Sequence, residues 1–191
     1  MISHEWLGII AGALYIGGAM GMYIYSVLKG ETKPNRVTWW ILGLITIVVV
    51  LSYHGVGARE TLWLPVAYAI GFLSIGALSL KYGDGPFVLN TLDRVVLLGG
   101  VISIVVYWFA HSPGFSLLLV TITEGIALAP TAIKAYRSPM TESRTAWTVG
   151  TIASVVNLFA ITEWSLAIAG YPMWIFLSNS FVLYFLFCRR A

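Results

Sequence analysis

The sequence predicts an all-α integral membrane protein: seven transmembrane helices, arranged as two parallel three-helix repeats joined by a linker helix. Three observations carry this. Hydrophobic residues make up 59% of the 191 residues and charged residues only 10%, against about 25% charged in a typical soluble domain. One core in a chain this short has no room for that much apolar surface. The second observation is periodic: apolar stretches near the ~20 residues that a spanning helix needs recur at 6–28, 37–56, 61–80, 93–111, 114–134, 145–166 and 171–188. The third is internal similarity. PTAIKAYRSPMTESRTAW, residues 130–147, has a fainter copy 108 positions earlier, MYIYSVLKGETKPNRVTW, in which Arg36 meets Arg144, Trp39 meets Trp147 and Lys29 meets Arg137.

These observations make 1–191 a single membrane domain, with a first repeat at 6–80, a linker helix at 93–111 and a second repeat at 114–188. Over residues 6–82 against 114–190 only six positions are identical. The repeat therefore rests on matching span boundaries, loop polarity and the Arg-x-x-Trp entry. One helix between the triplets keeps both in the same orientation, a plan that puts a transporter's site at the repeat interface.

Basic residues orient the chain. With the N-terminus outside, ten of the eleven Lys and Arg lie inside: Lys29, Lys33, Arg36, Lys81, Arg94, Lys134, Arg137, Arg144, Arg189 and Arg190. Only Arg59 faces out. An odd number of spans then leaves the C-terminus in the cytoplasm, and the expected location is the plasma or inner membrane. The net charge of +3 is accounted for by this asymmetry and calls for no nucleic acid. MISHEW lacks a basic n-region, so no cleaved signal is expected. Cys188, the single cysteine, excludes an internal disulfide.

In order along the chain, the first segment carries the small-xxx-small pairs Gly8 with Gly12 and Gly17 with Gly21, which let backbones approach closely. They serve packing inside the bundle or a contact between copies, so a homo-oligomer stays open. Pro34 in the turn KGETKPNR stops the helix. Segments two and three meet at a tight turn, Gly57 to Glu60. Gly83, Asp84, Gly85 and Pro86 mark the next turn, and Asn90 with Asp93 three residues later has the pattern of a capping box opening segment four. Segment four has no partner in the 108-residue offset. Ser112-Pro113-Gly114 turns the chain into segment five, where Pro130 removes one hydrogen bond and crowds the carbonyl of Ile126. Pro130 is the expected hinge, with a static kink as the alternative.

Pro130, Thr131, Ile133, Tyr136, Arg137 and Ser143 together look like a PQ-loop motif, with Thr131 where glutamine would stand. The 3+1+3 layout resembles the SWEET sugar transporters, the cystinosin-type lysosomal transporters and the KDEL receptors. KGETKPNRVTW also resembles the turn of small prokaryotic membrane proteins of this superfamily. In the first repeat Met22 and Tyr23 stand where Pro-Gln would. The resemblance implies transport of a small solute, with an aromatic residue near mid-membrane and an Asn on the third helix of each repeat. Tyr15, Tyr68 and Phe72 are the nearest aromatics, and only Asn179 fits the Asn position.

The eight tryptophans read as an interfacial belt: Trp6, Trp63, Trp108, Trp164 and Trp174 near outer ends, Trp39, Trp40 and Trp147 near inner ends. His4, His54 and His111 fall on the outer side beside Glu60 and Glu163, without the i, i+4 spacing that would constrain a metal site. No metal and no cofactor is expected. No nucleophile–base pattern or phosphate loop is present, which disfavours an enzyme.

Polar residues at mid-depth carry the functional expectation. Glu124 lies midway along segment five, Asn157 in segment six and Asn179 in segment seven. An ionised carboxylate at mid-membrane costs at least ~2.5–3.5 kcal/mol, so such a group is neutralised, paired or facing a polar cavity. All eleven Lys and Arg are near span ends, which removes the ion-pair option. Glu124, Asn157, Asn179, Tyr15 and Tyr68 are the candidate solute-binding residues, and Glu124 the candidate proton-coupling group. The alternatives are amides that only hold helices together and a permanently neutral Glu124. Two functions remain open: a transporter of a neutral or cationic polar solute, and a non-transporting receptor or accessory subunit built on the same bundle.

Overall fold

The computed structural model describes residues 3–83, 86–139 and 142–188, apart from the Lys134 side chain. Asp84, Gly85, Thr141, Arg189 and Arg190, which the sequence assigned to turns or the cytoplasmic side, lie outside the described residues. Within them the chain forms seven helices: α1 (His4–Leu28), α2 (Arg36–Gly55), α3 (Trp63–Tyr82), α4 (Thr91–Phe109), α5 (Pro113–Arg137), α6 (Arg144–Phe159) and α7 (Leu166–Cys188). A 3₁₀ turn, Glu60–Leu62, leads into α3. Six are long and apolar enough to cross a membrane.

Short polar side chains start the helices. Asn35 Oδ1 accepts from the amides of Val37 and Thr38 at 2.9 and 3.1 Å, which satisfies donors that have no partner inside α2. Asn90 and Asp93 form the reciprocal capping box of α4, each bond 2.9 Å. Ser3 and Ser143 cap α1 and α6. Gly30, at φ +77°, supplies the left-handed residue beyond α1 that other side chains resist.

Four departures from the sequence expectation bear on the site. Segment six was drawn to 166, but α6 is 16 residues and stops at Phe159, about 24 Å of helix. Asn157 therefore sits in its last turn and not at its middle. The next helix begins at Leu166, earlier than the expected 171, so Pro172 is inside α7. That moves Trp174 a further turn and a half into the helix, away from the interfacial belt. The third departure is in α1, where Tyr15–Met20 winds as a π-helix; such turns recur at functional sites. Finally, the two glycine pairs of α1 differ. A Cβ at Gly8 would collide with the backbone carbonyl of Glu60, and one at Gly12 would lie 2.9 Å from that of Trp63, whereas one at Gly17 meets nothing. Gly8 and Gly12 let α1 lie against α3, while Gly17 faces outward.

The helices close into a ring. α1 packs on α3, α3 on α2, α2 on α5, α5 on α7, α7 on α6, and α6 returns to α1. α4 stands outside, against α5 and α2. Most buried side chains form one continuous core that includes Tyr15, Ile45, Tyr53, Ile75, Val120 and Tyr171. A separate small cluster holds the far ends of α5 and α7 through Ala135, Val182 and Leu186. Many large apolar side chains point outward, among them Leu98, Phe109, Leu118, Phe159 and Leu177, as a lipid-facing surface requires.

Candidate functional site

Glu124 lies on the inner face of α5, partly buried, in a helix that carries no other acid. The hydroxyl of Tyr171, from α7, donates to its carboxyl at 3.2 Å to Oε1 and 3.1 Å to Oε2. Trp174, one turn further along α7, also reaches the carboxyl. Its ring lies over Gly125, where a Cβ would come within 3.1 Å of the indole. The absent side chain at 125 thus leaves room for the Trp174 ring beside Glu124.

Next to this pair is a second one. Asn179 Nδ2 donates to the Tyr68 hydroxyl at 3.0 Å, and the Tyr68 ring stacks on Tyr15 with centroids 3.8 Å apart and planes 29° from parallel. Phe72 meets Tyr68 edge-on at 5.6 Å. Tyr15 and Tyr68 are both close enough to Glu124 to feel its charge. Glu124, Asn179, Tyr15 and Tyr68 are therefore brought together, from α5, α7, α1 and α3. Tyr171 and Trp174 complete the group; Tyr171 was not singled out from the sequence, and Trp174 was read there as part of the interfacial belt.

Asn157 stands apart. Its side chain is fully buried and neither amide atom has a partner. It ends a buried stripe along α6, Gly150, Ala153, Ser154 and Asn157, and a Cβ added at Gly150 would lie 4.0 Å from the Tyr15 ring. Seven residues of helix separate the two ends, about 10 Å. Pro130 is exposed and borders a cavity of about 190 Å³ between α2, α4 and α5, lined also by Thr38, Asn90, Asp93, Ala127 and Thr131.

Hydrogen bonds between elements tie the end of the bundle where α1 begins. Pro172 has no N–H to offer the carbonyl four residues before it, that of Ile168. The hydroxyl of Tyr53, on α2, takes that place and donates to it at 2.6 Å, with Thr61 Oγ1 also 2.6 Å from the hydroxyl. Nearby, Thr162 donates to Glu60 at 3.3 Å and His4 Nδ1 lies 3.0 Å from the Phe159 carbonyl. A cavity of about 510 Å³ opens at this end, lined by Glu5, His54, Arg59, Glu60 and Trp63. Arg59 turns its guanidinium onto the carbonyls of His54 and Ala58. Among the described residues, no three His, Cys, Asp or Glu side chains come together as a metal site would need. No protein-family model matches the chain, and no curated protein or solved structure does either.

Proposed function

We propose that the protein is a small-solute membrane transporter of the PQ-loop/SWEET-like type, coupled to protons through Glu124. The observation that carries this is the Glu124 carboxyl, midway along a spanning helix, bonded by a tyrosine of another helix and flanked by aromatic side chains, with no basic side chain beside it among the described residues. A carboxyl is costly there unless it is used or neutralised, and a group that changes charge as water comes and goes suits proton-linked movement of solute.

The 3+1+3 reading is supported by the ring. Exchanging α1, α2 and α3 for α5, α6 and α7 turns the α1–α6 contact into the α5–α2 contact, and both occur. It also turns α1–α3 into α5–α7 and α2–α3 into α6–α7. At the residue level, Arg36 donates to the Ser79 carbonyl at 3.3 Å, and Arg144 lies over the Phe187 ring at 5.5 Å. Ser79 and Phe187 are partners at the same 108-residue offset that pairs the two arginines. The solute site in this reading holds Glu124, Asn179, Tyr15, Tyr68, Tyr171 and Trp174, with the Asn157 stripe leading toward the end where α1 begins. The orientation keeps the N-terminus outside and the C-terminus in the cytoplasm of a plasma or inner membrane.

Uptake into proteoliposomes, across a panel of sugars, amino acids and vitamins at two internal pH values, tests the proposal. Saturable flux that follows the pH gradient in the wild type and loses that dependence in Glu124→Gln is the expected result. No flux for any solute, with a stoichiometric protein partner retained on gentle purification, favours a receptor or accessory subunit instead.

A further inference from the structure

The site holds one acid and no base, and the position of every other charge makes that imbalance informative. Of the eight acidic residues, Glu124 alone lies in the middle of a helix. Glu5 and Asp93 are in first turns, Glu60 is in the 3₁₀ turn, and Glu31, Glu142 and Glu163 are in loops; Asp84 belongs to the loop after α3 by sequence. Lys and Arg are confined to the same ends. The groups that bear on the carboxyl are Tyr171 and Trp174 of α7, Tyr15 of α1 and Tyr68 of α3. α2 contributes Tyr53, its ring 5.3 Å from that of Tyr171, and α4 holds Asp93 and Arg94 in its first turn.

Resting on that reading of the site, we infer that the solute is an organic monocation, exchanged one for one with the proton of Glu124. In a water-poor interior a lone carboxylate needs a counter-charge. Among the described residues none stands beside it, so only two occupants of the site leave it neutral. One is a proton on the carboxyl. The other is a positive charge carried in by the ligand. They exclude each other: when the cation binds, the carboxyl O–H breaks, the oxygen keeps the electron pair and the proton leaves to water. The reverse step restores the acid and frees the cation. Charge is conserved across the exchange, and the site is neutral at both ends of it.

The rest of the site fits the same occupant. Three tyrosine rings and an indole present π faces, which attract an ammonium or guanidinium group. An anion would want a base, and among the described residues none lies beside the carboxyl; the neutral probes below decide against an uncharged polar ligand. Asn179 gives its N–H to Tyr68, which leaves the amide oxygen to accept from a cation. The Tyr171 hydroxyl, shared between both carboxyl oxygens, occupies the place that such a donor would take.

The test needs no flux. Purified wild-type protein in weakly buffered detergent is titrated with choline, benzyltrimethylammonium, guanidinium and tetraphenylphosphonium chlorides, and with glucose and benzyl alcohol as neutral probes. The expected result is saturable acidification approaching one proton per bound cation, none with the neutral probes, and none in Glu124→Gln. Tyr68→Ala should weaken the cation probes roughly tenfold. No acidification by any cation overturns the inference, and so does acidification that survives in Glu124→Gln. Flux of a neutral solute without cation-driven proton release would refute the cation and keep the transporter. Proton release without flux of any solute would do the opposite.

Discussion

Tyr53 shows how one side chain repairs what another breaks. Pro172 leaves the Ile168 carbonyl without its helical partner, and the Tyr53 hydroxyl bridges two helices to reach it. Removing that hydroxyl leaves a buried acceptor unpaired, which costs about 1–3 kcal/mol. Tyr53→Phe should therefore lower stability by that amount, measured by unfolding in detergent. The second change makes the test specific. Pro172→Ala restores an N–H in register with Ile168, so the double variant should recover part of the loss. A double variant as unstable as the sum of the two single ones would show that the carbonyl was never the issue. Residues of this kind were only half legible. Glu124 and Asn179 stood out in the sequence because a polar group midway along an apolar run has to be neutralised, paired or turned to a polar cavity. Tyr171 was hidden at the expected start of segment seven, and Trp174 was read as part of the interfacial belt. Only with α7 starting at Leu166 does Tyr171 fall level with Glu124.

Along single elements, α1 departs from regular α-helix at its middle while α5 stays α-helical throughout. In α1 the π-helical stretch Tyr15–Met20 aligns, at the repeat offset, with 123–128 of α5, the stretch that holds Glu124 and leads into Pro130. The proline was visible in the sequence because its missing N–H is written into the residue type. A π turn shifts the helix register by one residue without any such marker, and nothing in YIGGAM distinguishes it from ordinary helix. Pro130→Ala restores a hydrogen bond in α5; it should leave the protein folded and slow any flux, as read by initial uptake rates. Equal rates in both forms would reduce Pro130 to a static kink. The glycines of α1 give a sharper contrast. Gly8→Ala drives a methyl into the Glu60 carbonyl and should destabilise by about 1–3 kcal/mol, the usual cost of overpacking. Gly17→Ala adds a methyl in open space and should be neutral or stabilising by about 0.5–1 kcal/mol, from the poorer helix propensity of glycine. Thermal unfolding of the two variants should move in opposite directions.

At the scale of the whole molecule, the number of helices and nearly all their ends were readable, because a spanning segment needs a length of apolar sequence that turns and charges interrupt. The end of α6 and the start of α7 were the exceptions: apolar residues continue past the end of α6, and α7 begins at Leu166, five residues before the expected 171. Ala160 and Ile161 are buried at 0% and 4% exposure although they are no longer helical. Irregular backbone at membrane depth is tolerated where protein covers it, so Ala160 and Ile161 can extend the crossing that a helix of about 24 Å leaves short of the ~30 Å hydrocarbon core. If they do, Thr162 lies on the opposite side of the membrane from the turns at Lys33 and Gly83. Single cysteines at Lys33, Gly83, Thr141 and Thr162, in a Cys188→Ser background, make this measurable in intact cells with a membrane-impermeant maleimide. The expected result is labelling at Thr162 from outside, with Lys33, Gly83 and Thr141 reached only after the cells are opened. Protection of Thr162 alongside the other three would mean that α6 does not cross, leaving six spans and an even topology. External labelling at Lys33, Gly83 and Thr141 would invert the orientation that the basic residues imply.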